Sequence, residues 1–377
     1  MMEAIVDRRM MLDDLREVLT RIREHVAKVR AGRENWAIFG TGNTAELYQK
    51  AFSVERIRPI CYVDNSISIG KKEKFHDMPA FAPSELVNFP DAVTLICNYH
   101  RKYLLEIMDQ LDTMQVPYLL APQYIFSEHI EEIMGNAAVL DDYSLAIYSD
   151  IIHAHLFAKP MHYFDRNEYY SIPNFSSCRG KEIFVDIGAY VGDTIESYLE
   201  KRQGLFLKIY AIEPNAENFK AMQCRVERLK REWALNDERI TLIHGAVGAK
   251  SSKARILEAS GTAAHIGGHV EESNDMVEQN GEEVTIYSID DLFADIHVGF
   301  LKADIESYEM DMLHGAMKVI KRDRPKLAIC IYHNASDLYQ ILAYLRTKLE
   351  DYCFAVRHHA PLYLDTVLYA YPKEDAV

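Results

Sequence analysis

The stretch "FVDIGAYVGDT", residues 184–194, decides the fold of the second half of the chain. An apolar strand runs into a turn that contains Gly188 and Gly192, with Asp186 before it and Asp193 after it. The dinucleotide fingerprint G-x-G-x-x-G has a glycine where Asp186 lies here. A carboxylate at that point disfavours a pyrophosphate, which binds against backbone N–H groups. The turn therefore predicts a cationic or zwitterionic nucleoside ligand.

S-Adenosylmethionine is such a ligand, and the ends of the following strands supply groups for it. Gly188 would let the backbone approach closely, and Asp186 would receive the amino group directly or through water. Glu213 in "IEPN" would accept both ribose hydroxyls, and residues 245–247 in "HGAVG" would form a wall for adenine. The predicted cofactor-binding residues are Asp186, Gly188, Gly192, Asp193, Thr194, Glu213, Asn215, Gly245, Ala246 and Val247.

Each of these signals has a simpler structural interpretation. D-x-G-x-x-x-G is a common strand-to-helix turn, and Glu213 before a proline could be a solvated strand end. Asp304 and Glu306 in "ADIES" could be a helix N-cap and a first-turn acid. The acids follow one another in order at successive strand ends, and this combination favours the cofactor site.

Alternating strands and helices predict an α/β protein of two domains. Residues 1–122 form a leading helix, over 8–32, and a small N-terminal Rossmann-like parallel sheet. Residues 123–180 form a helical, aromatic-rich connector, whose Tyr163, Phe164, Tyr169 and Tyr170 could form a carbohydrate platform or interface core. Residues 181–377 are predicted to form a second α/β domain, a seven-stranded sheet with a closing β-hairpin. Within them, residues 251–287 predict an extra hairpin or a mobile lid.

Charge and cysteine content limit the class of partner and the compartment. The 377 residues contain 42 Lys and Arg against 57 Asp and Glu, a net charge of −15, which disfavours nucleic acid. The six cysteines form no C-x-x-C pair, as is typical of reduced residues in a cytoplasmic protein. No secretory signal is present, and no apolar window reaches the roughly 20 residues that a membrane helix needs.

The second half of the chain resembles the FkbM family of S-adenosylmethionine-dependent methyltransferases. The resemblance covers about residues 182–372 through "FVDIGAYVGDT", "AIEPNAENF", "HGAVGA", "YSIDDL" and "FLKADIESYEMDMLHGAMKVIKRDRPKLAICIYH". Its most diagnostic pattern is K-x-D-x-E-x-x-E-x-x-x-L-x-G-A, carried here by Lys302, Asp304, Glu306, Glu309, Leu313, Gly315 and Ala316. Ser307 and Tyr308 lie where the family usually has glycine and a small residue. The resemblance implies that the seven-stranded sheet is a class I methyltransferase sheet and that the reaction is O-methylation of sugars or of natural-product hydroxyls.

A hydroxyl acceptor benefits from a base, because its pKa is far above neutral. The predicted catalytic residues at strand ends are Asp304, Glu306 and His333, and strand alternation is expected to turn Lys302 and Glu309 away from the site. His358 and His359 before the closing hairpin, and His265 and His269 in the insert, are weaker candidates. A divalent metal on Asp304, Glu306 and His333 stays open, since no compact ligand motif is present.

The N-terminal sheet carries a second glycine turn. "FGTGNTAELY" has a G-x-G-x-x-A spacing, and Asp64 follows Gly42 by 22 residues. A second nucleotide site is therefore predicted at Gly40, Gly42, Asn43 and Asp64. It would bind a nucleotide-sugar or NAD; the alternative is a degenerate sheet used for packing or for dimerisation into a homo-oligomer.

The leading function is methylation of a hydroxyl on a sugar, nucleotide-sugar or glycan precursor, which makes the partner a small-molecule or glycan acceptor. A second hypothesis is an NAD-dependent sugar-nucleotide oxidoreductase or epimerase, although no Y-x-x-x-K lies in a plausible catalytic helix. A third is a non-catalytic sugar-nucleotide-binding scaffold. The scaffold hypothesis is disfavoured because Asp186, Glu213, Asp304 and Glu306 are all present.

Overall fold

A computed structural model describes residues 7–98, 100–176, 182–256 and 282–375. The chain divides into two compact units, each built from several segments. The first unit comprises Met1–Arg166, Ile331–Lys348 and Phe354–Val367, and the second comprises Asn167–Cys330, Leu349–Cys353 and Leu368–Val377. The predicted α/β class is confirmed, because both large sheets are dominated by parallel strands with helices between them. The predicted domain boundaries stay a prediction.

The first unit contains a six-stranded sheet in the order β3-β4-β2-β1-β5-β6. Its strands are β1 (Asn35–Phe39), β2 (Pro59–Val63), β3 (Glu73–Phe75), β4 (Met78–Phe81), β5 (Ala92–Ile96) and β6 (Tyr118–Leu120). All neighbours are parallel except β3 and β4, which form an antiparallel pair. The sequence predicted the other four strands and missed these two, which are short and have only one buried residue between them.

In the described part of the chain, seven helices precede the second large sheet, and the first of them is the long helix α1. The helices before the second sheet are α1 (Arg8–Arg30), α2 (Asn43–Val54), α3 (Arg101–Thr113), α4 (Ala121–Glu128), α5 (Ile130–Ala137), α6 (Asp142–Phe157) and α7 (Pro173–Ser176), of which α7 belongs to the second unit. The Asp7 carboxylate caps α1 by accepting from the Arg9 N–H. One face of α1 is buried, through Leu15, Leu19, Ile22 and Val26. The predicted leading helix is therefore amphipathic.

A seven-stranded sheet follows in the order β15-β16-β14-β13-β7-β8-β9. Its strands are β7 (Ile183–Ile187), β8 (Lys208–Glu213), β9 (Ile240–His244), β13 (Phe300–Ala303), β14 (Lys326–Cys330), β15 (Tyr352–His358) and β16 (Thr366–Pro372). These are the seven strands that the sequence predicted. The central strands β13 and β14 are buried along their whole length, which is why they are apolar apart from one buried lysine each, Lys302 and Lys326.

A small third sheet in the order β10-β12-β11 lies between β9 and β13 in the chain. It consists of β10 (Ala246–Val247), β11 (Ser252–Ile256) and β12 (Glu282–Tyr287), with β11 and β12 antiparallel. The sequence predicted an extra hairpin or a mobile lid over residues 251–287. The described ends of this insert form β11 and β12, and residues 257–281, with His265 and His269, lie outside the described residues.

The remaining helices flank the strands that have been named. They are α8 (Asp193–Arg202), α9 (Ala216–Glu232), α10 (Ile289–Leu292), α11 (Glu309–His314), α12 (Met317–Asp323) and α13 (Asp337–Lys348). Within the first unit, α13 is tied to α5 by the Asn136 amide, which donates to the Tyr339 carbonyl at 2.8 Å. Across the described ranges, every helix is too short or too polar to cross a membrane.

Candidate cofactor and active site

The turn after β7 is packed tightly against two neighbouring strands. The N–H groups of Gly188 and Ala189 both donate to the Ile212 carbonyl of β8, at 3.0 and 3.1 Å. Gly188 has a φ of +74°, and a Cβ added there would lie 1.8 Å from the carbonyl oxygen of Asp304, just past β13. Only glycine fits this conformation and this spacing. The glycine in the sequence motif therefore lies where the ends of β7, β8 and β13 pack closely together.

Glu213, the last residue of β8, connects this turn to the next one. Its Oε2 accepts from the Tyr190 N–H at 2.9 Å, and its Oε1 accepts from the Asn215 N–H at 3.0 Å. Burial raises the pKa of Glu213 above its ordinary value, although these hydrogen bonds oppose the shift. The structure thus brings together the two strand ends that the sequence assigned to the cofactor.

The helices after these strands begin at other predicted residues. Gly192, with a φ of +82°, precedes α8, in which Asp193 is exposed and Thr194 is buried. Asn215 caps α9, because its Oδ1 accepts from the Asn218 N–H at 2.9 Å. Gly192 and Asn215 therefore mark the starts of α8 and α9, and Asp193 presents its side chain to solvent.

The predicted adenine wall follows β9. Gly245 donates its N–H to the Glu213 carbonyl at 3.1 Å, and a Cβ added there would lie 2.5 Å from the Tyr287 ring. Ala246 and Val247 form β10 and are buried beside β12. Residues 245–247 are therefore joined through the backbone to the strand end that carries Glu213.

Lys302 lies beside Asp186 rather than away from it. The two residues are register partners on β13 and β7, and Lys302 Nζ lies 3.1 Å from Asp186 Oδ1. Nζ also donates to the Gly188 carbonyl at 2.9 Å. The expectation that alternation turns Lys302 away is wrong, because residues 302 and 304 are two apart and share a face of the strand.

Both members of this ion pair are buried and charged at neutral pH. Burial raises the pKa of Asp186 to about 6, against the attraction of Lys302. Burial alone would lower the pKa of Lys302, but the carboxylates of Asp186 and Asp304 raise it above its usual value. Lys302 is therefore a cation and does not serve as a base.

Asp304 is the candidate base that has a defined partner in the second unit. Its Oδ2 accepts from the Tyr169 hydroxyl at 3.4 Å, and the same hydroxyl lies 3.7 Å from Cys330 Sγ. Burial, Cys330 and Asp304 raise the pKa of Tyr169 well above its ordinary value, so the hydroxyl keeps its proton and donates. Tyr169 itself has a φ of +61°, which is uncommon for a tyrosine and is a form of strain that clusters at functional sites.

The loop after Asp304 has an unusual backbone. Glu306 and Ser307 have φ values of +52° and +80°, and Glu306 is exposed. Glu309 at the start of α11 is fully buried, and its Oε1 accepts from the Ile305 N–H at 2.9 Å. Asp304 and Glu306 thus lie in different environments, because Asp304 is half-buried beside Tyr169 whereas Glu306 faces solvent.

The three histidine candidates that the structure describes, His333, His358 and His359, belong to the first unit. His333 follows β14 and is buried. Both ring nitrogens of His358 are engaged, with Thr366 Oγ1 and the Leu362 carbonyl, and burial lowers its pKa to about 4. His359 is bonded to the Asp165 carbonyl, and burial lowers its pKa as well. The base role of His333 and the binding of a metal stay predictions.

In the first unit, the second glycine turn is closed by an aspartate. Gly40 has a φ of +129°, and its N–H donates to the Val63 carbonyl at the end of β2. Asp64 accepts from the Thr41 N–H and from the Ser66 N–H, each at 2.9 Å. Burial would raise the pKa of Asp64, but these hydrogen bonds hold it below its ordinary value. Gly42 precedes α2, which begins at Asn43.

Sequence reasoning gave no site role to Lys302 and treated Tyr169 as one of several connector aromatics. The signal for Lys302 was its place two residues before Asp304, on the same face of one strand. Nothing local marked Tyr169, since it is 135 residues from Asp304 in the chain. Of the four connector aromatics, Tyr163 and Phe164 are exposed, whereas Tyr169 and Tyr170 are buried.

Three solved structures are similar to this chain, and the first of them supports the fold. The FkbM methyltransferase from Methylobacillus flagellatus is 21% identical, with 97% of this chain and 100% of that chain covered and a TM-score of 0.56. An rRNA methylase from Streptococcus thermophilus is 14% identical over 51% of this chain and 87% of that chain, with a TM-score of 0.30. The human methyltransferase 10 domain containing protein is 12% identical over 53% and 76%, with a TM-score of 0.32.

Comparison by sequence identifies the domain. No curated protein matches the chain. The family model described as the methyltransferase FkbM domain matches residues 186–354, from the buried aspartate of β7 into β15. This range contains the turn at Gly188, Glu213, residues 245–247 and the loop after β13. Residues 186–354 therefore form a methyltransferase FkbM domain, which confirms the family resemblance of the sequence.

Proposed function

We propose that the FkbM domain uses S-adenosylmethionine to methylate a hydroxyl of a sugar, nucleotide-sugar or glycan precursor. The observation that carries the proposal is the position of Glu213. Its carboxylate lies at the carboxyl end of β8 and is bonded to the turn after β7, at the sheet edge where open α/β folds bind their ligands.

The residues present fit this cofactor. Gly188 and Gly245 leave no room for a Cβ, as expected where a backbone must remain close-packed beside a ligand. The acids Asp186, Glu213 and Asp304 outnumber the single ammonium of Lys302, so the strand ends carry net negative charge. That charge favours a cationic sulfonium over a pyrophosphate. Glu213 would hold a ribose hydroxyl, since a carboxylate has about four acceptor positions and three are used here, by Tyr190, Asn215 and Asn218.

When bound, S-adenosylmethionine supplies an electrophilic methyl group. The chain must then orient the acceptor hydroxyl and remove its proton, because most of the acceleration in such a transfer comes from alignment. Asp304 is the proposed base, and Tyr169 orients its carboxylate by donating to Oδ2. Glu306 is exposed and is a secondary candidate.

The experiment is calorimetric titration with S-adenosylhomocysteine. We expect micromolar binding to the wild-type chain and at least a tenfold loss in Glu213→Ala, about 1.4 kcal/mol, because the ribose contacts are removed. Glu217→Ala is the matched control, since Glu217 is an exposed acid in the first turn of α9. Equal affinities of Glu213→Ala and wild type would refute the assignment of Glu213 to the ribose.

A separate proposal concerns the first unit, which we infer binds a nucleotide at Gly40, Gly42, Asn43 and Asp64. Its support is the Asp64 carboxylate fixed against the Gly40–Gly42 turn through Thr41. The same calorimetry with NAD and a nucleotide-sugar panel tests it, with Asp64→Ala as the variant. Nucleotide-sugar binding lost in Asp64→Ala supports nucleotide-sugar presentation, NAD binding favours the oxidoreductase, and no binding by wild type refutes the site.

A further inference from the structure

The ion pair between Asp186 and Lys302 is sealed inside the sheet. The two side chains are 0% and 3% exposed, and they lie on directly paired residues of β7 and β13. Taking two charges out of water is costly, and apolar residues of similar size often stabilise such a position equally well. Stability alone therefore gives little reason for a charged pair at this point.

The lysine does more than neutralise the aspartate. Its Nζ reaches beyond the carboxylate to the carbonyl oxygen of Gly188, at 2.9 Å, in the turn that follows β7. The single ammonium of Lys302 on β13 thus contacts both Asp186, near the end of β7, and Gly188 in the turn that follows. The Cα of Gly188 lies against the Asp304 carbonyl. The N–H groups of this turn are held from the opposite side by the Ile212 carbonyl.

We propose that Lys302 is a positioning residue for cofactor binding, which fixes the turn 186–190 by bridging the Asp186 carboxylate and the Gly188 carbonyl. The inference rests on the proposed function. It changes the role expected for Asp186, whose fully buried carboxylate acts on the cofactor through the shape of the turn. The sequence hypothesis instead gave Asp186 a contact with the amino group of the cofactor.

Two ligands distinguish these roles. S-Adenosylhomocysteine carries the amino acid group, whereas 5′-methylthioadenosine has the same adenine and ribose without it. If the ion pair shapes the turn, Lys302→Met and Asp186→Asn each reduce the affinity for both ligands by a similar factor, at least tenfold. If Asp186 binds the amino group, Asp186→Asn weakens S-adenosylhomocysteine and leaves 5′-methylthioadenosine within twofold of wild type, which would overturn the proposal.

Lys326→Met is the matched control for loss of a buried lysine. Lys326 starts the adjacent strand β14, opposite Phe300 at the far end of β13 from the turn, and its Nζ lies 2.5 Å from Glu182. We expect this variant to lose thermal stability while both ligand affinities stay within twofold. An equal loss of affinity in Lys326→Met would show that general destabilisation explains the result for Lys302.

The double variant Asp186→Asn/Lys302→Met keeps the test decisive where Lys302→Met folds poorly, because it leaves no unpaired buried charge. We expect its melting temperature to recover toward wild type while its affinity for both ligands stays at least tenfold reduced. Full recovery of affinity would mean that Lys302 only neutralises Asp186, and the bridge to Gly188 would be wrong. Failure of the wild-type chain to bind either ligand would refute the proposed function and this inference together.

Discussion

Replacing Gly188 by alanine tests the packing of the three strand ends. An added Cβ would lie 1.8 Å from the Asp304 carbonyl oxygen, and real Cβ atoms essentially never approach closer than 3.0 Å, so the backbone must separate by at least 1.2 Å. Overpacking of this kind typically costs about 1–3 kcal/mol. The left-handed conformation at a φ of +74° adds about 1–2 kcal/mol for a residue with a Cβ.

We therefore expect Gly188→Ala to lower the free energy of unfolding of the second unit by about 2–5 kcal/mol. Equilibrium urea unfolding followed by circular dichroism measures the change. Gly204→Ala separates the two causes, because Gly204 has a nearly equal φ of +71° while its added Cβ meets only the Trp233 ring at 3.5 Å. This control should lose about 1–2 kcal/mol, from backbone strain alone.

Equal losses in the two variants, within about 0.5 kcal/mol, would refute the argument, since they would show that β7 and β13 separate without cost. A second readout follows from the proposed function. Displacing the turn by about 1 Å should reduce the affinity of Gly188→Ala for S-adenosylhomocysteine at least tenfold, whereas Gly204→Ala should bind this ligand as wild type does.

Two further predictions concern buried charge in each unit. Glu182→Ala should destabilise the second unit by about 3–5 kcal/mol in urea unfolding, because Glu182 pairs with the buried Arg202 at 2.9 Å and with Lys326 at 2.5 Å; a loss below about 1 kcal/mol would contradict it. Burial lowers the pKa of His155 and of His358 to about 4, from an ordinary 6.5. Since the unfolded chain then binds more protons, stability is complete above pH 6.5 and falls toward pH 4, by about 2 kcal/mol per histidine at pH 5. His155→Leu should reduce the loss between pH 7 and pH 5 by about 2 kcal/mol in urea unfolding, and an unchanged loss would refute the assignment.

The seven-stranded sheet was predictable because its strands are mostly buried and apolar. Buried parallel strands such as β14 read as apolar runs, here over residues 327–330, and glycine or acidic residues mark the points where they end. The same rule fails for β3 and β4, which are three and four residues long and include exposed or half-buried positions. Burial, rather than strand length, decided what the sequence revealed, because β6 is also three residues long but is mostly buried and was predicted.

Strand-end residues were predictable for a related reason. Parallel strands place their carboxyl ends at one edge, so Asp186, Glu213 and Asp304 follow from strand order alone. Tyr169 does not, since its approach to Asp304 depends on the path of a connector that has no periodic pattern. The partner of Asp186 was accessible in principle, because parallel register pairs residue 186 with residue 302.

The diagnostic pattern of the family combines chemistry with packing around the end of β13. Lys302 holds the Gly188 turn, Asp304 meets Tyr169, and Glu309 folds back to accept from the Ile305 N–H. Ser307 lies where the family usually has glycine, yet its φ is +80°, a conformation that glycine adopts without strain. The clamp by Glu309, rather than the residue at 307, therefore sets the shape of this loop. The chain retains the glycine-like backbone and adds a hydroxymethyl group three residues after the proposed base. We therefore expect the departure to alter the acceptor side of the proposed site rather than the cofactor side.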